Sequence, residues 1–130
     1  MSEKILLDTC TFIWLALDDP KLSENARRFF KDPNNEIYLS VVSAWEMTAK
    51  YSSGRLALPR PPAELIAQWR EKRDIYSLAL EEVAAVYESR LPRLHGDPFD
   101  RMLICQSIVH GMAILTPDTD ISKYAIHTLW

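Results

Sequence analysis

Residues 97–118, DPFDRMLICQSIVHGMAILTPD, contain the clearest helix-to-strand unit of the sequence. Pro98 suits the first turn of a helix, and apolar residues at a spacing of three and four predict a helix over 99–109. Gly111 is typical of the position just after a helix, and the apolar run 112–115 predicts a buried strand. A helix that leads directly into a short buried strand indicates an α/β fold.

The rest of the chain repeats this alternation. Strands are predicted at 5–7, 36–39, 75–78 and 112–115, and 124–126 is a candidate for a fifth. Helices are predicted from the residue after Asp8 to about residue 17, and then at 24–30, 43–50 or slightly earlier, 62–73, 81–89 and 98–109. Strands separated by helices favour right-handed crossovers and parallel pairing. We therefore expect a three-layer α/β/α sandwich with a short, mainly parallel sheet of four or five strands, formed by one domain over residues 1–130.

Five acidic residues lie where predicted strands meet helices: Asp8, Glu46, Asp97, Asp100 and Asp118. Residues just beyond the carboxyl ends of parallel strands converge in one crevice, so these carboxylates should lie close together. Because like charges repel, some of them must then be protonated or a positive group must lie between them. A divalent metal ion is the simplest solution, and the sequence therefore indicates metal-dependent chemistry on phosphate esters.

Three of these aspartates also have a structural interpretation. An aspartate after a strand often only caps the next helix, which applies to Asp8. Asp97 precedes Pro98 and suits a ligand and a helix cap equally well. Asp118 could begin a turn over 118–120, although a role in the site is favoured for it.

The role of Glu46 depends on where its helix begins. If Ser43 is the N-cap, Ser43 and Glu46 form a capping box and Glu46 binds an amide of its own helix. If Ser40 is the N-cap, Glu46 lies inside the helix and its side chain is free to enter the site. The spacing leaves both arrangements open.

Composition places limits on the class of protein. The chain has 130 residues, a formal net charge of −3 and 48% hydrophobic residues, values that neither require nor exclude RNA binding. Cys10 and Cys105 lack the CxxC spacing of a zinc site and are too few for a disulfide scaffold. No apolar run approaches the roughly 18 residues of a membrane span. Asp8 also interrupts the apolar amino terminus, which argues against a signal peptide, so a cytoplasmic protein without membrane association is expected.

Other side chains favour structural roles. His95, His110 and His127 have no partner at metal-ligand spacing. The four tryptophans are typical of a core or an interface rather than of base-stacking platforms. Arg101 pairs either with an acid near the site or with phosphate, and the sequence does not decide between them.

Six stretches of the chain form a pattern that spans nearly its whole length: ILLDT (5–9), SVVSAWEMTAK (40–50), GRL (54–56), HGDPFDRMLI (95–104), LTPD (115–118) and YAIHTLW (124–130). In this order they resemble PIN-domain ribonucleases, and more narrowly the VapC-type toxins of bacterial toxin–antitoxin pairs. The DPFDRML stretch, combined with the other five, makes the resemblance highly specific.

The resemblance implies a PIN-like fold and a metal site. It implies that Asp8, Glu46 and Asp100 bind the metal, that Asp118 is the fourth acid, and that Asp97 either binds the metal or caps the helix. The residues that would act in catalysis are Asp8, Glu46, Asp100 and Asp118.

Two further side chains and two departures complete the comparison with the family pattern. Thr116 matches a hydroxyl near the site, and Lys50 matches a lysine of the glutamate helix. Pro117 and Ile121 depart from the broadest family pattern without touching the chemistry.

The activity implied is hydrolysis of RNA phosphodiester bonds by an endoribonuclease that uses Mg²⁺, or alternatively Mn²⁺. The implied partners are RNA, a cognate antitoxin protein and a second copy of the chain in a homodimer. A structure-specific DNA nuclease or a metal-dependent phosphatase that uses the same carboxylates is the alternative. A non-catalytic PIN-like binding module is disfavoured because all the expected acids are present.

Overall fold

A parallel sheet forms the centre of the computed structural model, which describes residues 2–130. Its strands are β1 (Lys4–Leu7), β2 (Glu36–Ser40), β3 (Ile75–Leu78), β4 (Ala113–Leu115) and β5 (Thr128–Leu129). Their order in the sheet is β3-β2-β1-β4-β5, and each neighbouring pair is parallel. The prediction of an α/β fold with a short, mainly parallel sheet is confirmed.

Helices connect and follow the strands throughout the described part of the chain. None of them is both long enough and apolar enough to cross a membrane. They are α1 (Thr9–Leu17), α2 (Glu24–Lys31), α3 (Val41–Ser52), α4 (Pro62–Lys72), α5 (Glu82–Tyr87), α6 (Pro98–His110) and α7 (Thr119–Ser122), with a 3₁₀ turn at Glu88–Arg90.

The sheet has a hydrophobic cluster on each face. Successive residues of a strand point to opposite faces, so Ile5 and Leu7 enter one cluster while Leu6 enters the other. The first cluster contains buried residues of α1, α2 and α4, and the second contains buried residues of α5 and α6. The three-layer arrangement expected from the sequence is therefore present.

The beginning of α3 settles the question about Glu46. Ser40 is the N-cap, and its hydroxyl accepts a hydrogen bond from the backbone N–H of Val42 at 3.0 Å. Glu46 consequently lies inside the helix, and the capping box with Ser43 is absent from this helix. The side chain of Glu46 is therefore not used in a capping box and is available to bind a ligand.

The carboxyl-terminal residues differ from the prediction. The fifth strand is Thr128–Leu129 and not 124–126, because His127 and Leu129 supply the carbonyls that bind the amides of β4 and Thr116. Tyr124 lies instead in a turn, and its side chain is buried in the second cluster. Pattern reading also missed the short helix α7.

The predicted helix 81–89 is shorter than expected. It divides into α5 and the 3₁₀ turn, because Leu91 N bonds to Glu88 O in the tighter i to i+3 pattern.

Candidate functional site

The sheet order places a crevice beside the carboxyl end of β1. β1 lies between β2 and β4 in the sheet. From β1 the chain adds β2 and β3 on one side, and it then crosses to add β4 and β5 on the other side. In open parallel sheets, ligands bind at such a reversal, beyond the carboxyl ends of the strands. Asp8 follows β1, Thr116 and Asp118 follow β4, and α3 and α6 bring the other acids to the same edge.

All five acids predicted from the sequence line one cavity at this edge. Its volume is about 340 Å³. A larger cavity of about 540 Å³ opens near the amino end of β1, but Glu3 is the sole acid among the residues that line it. Of these two cavities, the acidic one is therefore suited to cation chemistry. It is lined by Asp8, Thr9, Cys10, Ile13, Glu46, Met47, Lys50, Arg55, Leu56, Asp97, Asp100 and Asp118.

Asp8 does not use its side chain to cap α1. It occupies the N-cap position, but its carboxylate makes no capping hydrogen bond. Instead Oδ2 accepts hydrogen bonds from Thr116 Oγ1 at 2.7 Å and from Cys10 Sγ at 3.3 Å. Burial raises the pKa of Asp8, and these two hydrogen bonds lower it in part. The interpretation of Asp8 as a side-chain cap of α1 is therefore wrong, because its carboxylate binds Thr116 and Cys10 instead.

Glu46 is buried and is held by two side chains. Its Oε1 lies 2.7 Å from the hydroxyl of Thr9, and its Oε2 pairs with Lys50 Nζ one helical turn later. Thr9 also lies 2.8 Å from Ser43 Oγ. A carboxylate can only accept, so the single hydroxyl hydrogen of Thr9 goes to Glu46 and Ser43 donates to Thr9. The bond to Glu46 raises the pKa of Lys50, which is consistent with a charged ion pair.

Asp97 and Asp118 each cap a helix at the rim of the cavity. Asp97 Oδ1 accepts from the amides of Phe99 and Asp100 at 2.9 and 3.1 Å. Asp118 Oδ1 accepts from the amide of Asp120 at 2.8 Å. The cap interpretation of Asp97 is therefore correct, and Asp118 caps α7 instead of only beginning a turn over 118–120. Each keeps a second carboxylate oxygen that can face the cavity.

Asp100 has the most perturbed carboxylate of the site. Burial, followed by the charges of the surrounding acids with Asp8 first, raises its pKa to about 8. Its Oδ2 lies 3.3 Å from His95 Nε2. An acid in such a position is protonated in part near neutral pH unless a cation compensates the charge.

The donor chemistry fits a hard divalent cation, although the ligands are not preassembled. Carboxylate oxygens are the ligands such ions prefer, and the charges of four neighbouring acids add to the effect of burial in raising the pKa of Asp100. Yet no three Asp, Glu, His or Cys side chains within residues 2–130 are arranged to hold one ion. Glu46 is bound to Lys50, and Asp97 and Asp118 are bound to helix amides, so cation binding requires local rearrangement.

Pattern reading missed several residues near the site. Thr9, Cys10 and His95 contact the acids, but none of them has a spacing that could have identified it. Arg55 lines the cavity and belongs to one of the quoted stretches without an assigned role. Arg101 is buried and pairs with an acid, as one of its two alternatives predicted, but this acid is Glu88 at 2.8 Å, which does not line the cavity.

Solved structures share this fold. A chain of VapBC2 from Rickettsia felis superposes with a TM-score of 0.74 at 12% identity, and the match covers 97% of each chain. That structure contains VapBC2 bound to a DNA fragment from its promoter. A chain of DNA-bound VapBC from Salmonella typhimurium gives 0.67 at 17% identity, covering 98% of this chain and 97% of that chain. A chain of FitAcB from Neisseria gonorrhoeae superposes with a TM-score of 0.62 at 16% identity, and the match covers 97% of this chain and 96% of that chain.

Sequence comparison identifies the family. Among curated proteins, none is significantly similar to this chain in sequence. Residues 5–127 match the family described as the PIN domain, and this range runs from β1 to the residue before β5. It includes all five acids of the cavity. The chain therefore belongs to the PIN domain family.

Proposed function

We propose that this chain is a metal-dependent endoribonuclease that hydrolyses RNA phosphodiester bonds and acts as the toxin of a toxin–antitoxin pair. Nuclease activity is expected for a PIN domain. The observation that carries the proposal is the cavity in which five carboxylates from separate parts of the chain meet at the carboxyl edge of the sheet. No serine, cysteine or histidine nucleophile is needed for this chemistry.

Asp8, Glu46 and Asp100 would hold Mg²⁺ or Mn²⁺, with Asp97 and Asp118 beside them. When bound, such an ion lowers the pKa of a water molecule and neutralises charge on the scissile phosphate. Thr9 and Thr116 orient the carboxylates of Glu46 and Asp8 through their hydroxyls.

Two basic side chains at the cavity are suited to bind a substrate that carries phosphate. Lys50 and Arg55 both line the acidic cavity. Lys50 is held against Glu46, and a cation that takes over this carboxylate would free the ammonium group for a phosphate oxygen. Arg55 is exposed at the rim, where an incoming strand would meet it first.

A substrate panel tests the activity. Purified protein with Mg²⁺ or Mn²⁺ is incubated with single-stranded RNA, structured RNA, DNA of both kinds and a phosphomonoester, and the ends of the cleaved RNA are sequenced. We expect internal cleavage of RNA that EDTA abolishes. Cleavage of DNA or of the monoester alone would replace the proposal with the alternative nuclease or phosphatase.

Variants of the carboxylates connect the activity with the cavity. Asp8→Asn and Asp100→Asn should each lower cleavage by several orders of magnitude while the fold is kept. Asp120→Asn is the matched control, because this aspartate pairs with Lys123 on the surface. Unchanged cleavage by either cavity variant would contradict the assignment.

We further propose an antitoxin partner whose tail lies across the cavity and offers a basic side chain to the acids. The similarity in fold to chains of VapBC and FitAcB complexes supports this partner. Expression of the chain alone should stop growth, and expression together with the product of a neighbouring gene should restore it. Asp100→Asn protein should be harmless in the same cells.

A homodimer completes the proposed assembly. Large apolar side chains are exposed on α3 and α5, among them Trp45 at 66% and Val86 at 64%. Exposed apolar surface of this kind marks protein contacts. Sedimentation should give a dimer for the native chain, and Val86→Glu should weaken it more than the conservative Val86→Thr. A monomeric native chain would exclude this part of the proposal.

A further inference from the structure

Behind Asp100, on the side away from the cavity, a chain of hydrogen bonds leads into the core. His95 Nε2 lies 3.3 Å from Asp100 Oδ2, and His95 Nδ1 lies 2.7 Å from the hydroxyl of Tyr124. Tyr124 is buried, with 4% of its surface exposed. The ring of His95 therefore bridges a carboxylate of the site and a buried phenol.

Arg101 fixes the far end of this chain. It is 2% exposed, and its N–H groups donate to Glu88 Oε1 at 2.8 Å, Pro92 O at 2.9 Å and Tyr124 Oη at 3.0 Å. Longer contacts reach the carbonyls of Glu88 and Leu91 at 3.4 and 3.5 Å. Five contacts match the five N–H groups of a guanidinium, so this side chain is fully engaged and cannot turn towards the cavity.

The hydrogen bonds at Tyr124 determine the tautomer of His95. Arg101 Nη1 and the backbone N–H of His95 both donate to the hydroxyl oxygen, at 3.0 and 3.3 Å. These two donors use the acceptor capacity of the oxygen, so its own hydrogen must go to His95 Nδ1. Nδ1 is then an acceptor, and the ring hydrogen lies on Nε2, which faces Asp100.

We propose that His95 and Tyr124 are positioning residues that hold the Asp100 carboxylate for cation binding. The proposal rests on the proposed function for the identity of the bound ion, but the His95–Tyr124 geometry stands without it. Asp100 is surrounded by like charges, which would drive its side chain out of the cavity. An N–H group fixed by the protein opposes that movement and keeps one carboxylate oxygen in place, as partners behind metal ligands commonly do.

The first test measures the tautomer. Nitrogen-15 chemical shifts of the His95 ring should report a hydrogen on Nε2 in the native protein. A hydrogen on Nδ1 in the native protein overturns the proposal.

The second test exchanges the ring for two amides. Glutamine places its amide nitrogen close to the position of Nε2, whereas asparagine places its amide nitrogen close to that of Nδ1. His95→Gln should therefore keep Mn²⁺ affinity within about 3-fold of native, and His95→Asn should lower it by roughly 10-fold or more, the usual effect of losing such a partner. Equal affinities of the two variants contradict a role for the Nε2 hydrogen.

Tyr124→Phe extends the same measurement to the phenol. It should also weaken Mn²⁺ binding, whereas Tyr76→Phe, the same change on a side chain that is 51% exposed, should not. Thermal unfolding without the ion identifies any variant that fails to fold. If Tyr124→Phe fails to fold, the Mn²⁺ affinity of His95→Gln still tests the role of the Nε2 hydrogen. A native chain that binds no Mn²⁺ refutes the proposed function, and the nitrogen shifts then decide on the His95–Tyr124 pair alone.

Discussion

Thr116 Oγ1 donates a hydrogen bond of 2.7 Å to Asp8 Oδ2, and it joins the residue after β4 to the residue after β1. Thr116 Oγ1 also accepts a hydrogen bond from the amide of Asp118 at 3.0 Å. One hydroxyl therefore connects two acids of the cavity, and neither acid could keep its position without the pairing of the two strands.

Replacing Thr116 with valine should affect both stability and activity. The change leaves the buried carboxylate of Asp8 with only the weaker hydrogen bond from Cys10 and the amide of Asp118 without its partner, at a cost of about 1–3 kcal/mol in the free energy of unfolding. Urea unfolding measures the loss, and RNA cleavage should fall with it. Thr116→Ser keeps the hydroxyl and should behave like the native chain. Equal stability of the valine and serine variants would show that the hydroxyl is dispensable.

Replacing Lys50 with glutamine should separate ion binding from cleavage. Lys50 competes with a cation for Glu46, so its loss should tighten Mn²⁺ binding, while the metal-free protein loses about 1 kcal/mol or less because the pair is partly exposed. Cleavage should nevertheless decrease, since a group that can meet phosphate is removed. Calorimetry measures the affinity, with Lys50→Arg as control. Weaker Mn²⁺ binding by Lys50→Gln would contradict competition for Glu46.

Stability without a metal ion should depend on pH through Asp100. Its pKa is about 8 in the folded protein, against a reference of 3.8. Between these values the folded protein binds more protons than the unfolded chain, so the free energy of unfolding falls as the pH rises from about 4 to about 8. Asp100→Asn should reduce this dependence, and Asp120→Asn should not. Urea unfolding at a series of pH values with EDTA tests the prediction, and identical slopes for all three proteins would refute it.

Divalent ions should stabilise the folded chain. An ion that binds only the folded state at 100 times its Kd adds about 2.7 kcal/mol. The midpoint of thermal unfolding should therefore rise with Mg²⁺ or Mn²⁺ near pH 8, where charge repulsion among the acids is strong, and EDTA should reverse the increase. Asp8→Asn should lose most of the effect. A similar increase with Na⁺ at equal ionic strength would indicate charge screening instead of binding.

The sequence predicted the features that depend on local patterns. The strand 5–7 and the helix 98–109 follow from hydrophobic spacing and from Pro98 and Gly111, and the structure has both within about one residue. The meeting of the acids also followed, because a parallel sheet brings the ends of its strands to one edge.

Features that depend on contacts between distant residues could not be predicted in the same way. β5 begins four residues later than expected, because its position is determined by pairing with β4 and not by a local sequence signal. The choice between Ser40 and Ser43 as the cap, and the partner of Arg101, depend equally on neighbours that no spacing identifies. Asp97 shows that the two interpretations of a residue need not exclude each other, since its Oδ1 caps α6 at the edge of the acidic cavity.

The position of β1 between β2 and β4 has a consequence for the cell that makes this protein. Of the five strands, β1 is translated before the others, and its pairing is complete only after residues 113–115 of β4 have been made. A nascent chain that has not yet reached Asp118 lacks one wall of the cavity, so the cavity is complete only after the residues up to Asp118 have been translated. Under the proposed function, this order would give an inhibitor time to meet the chain as it folds.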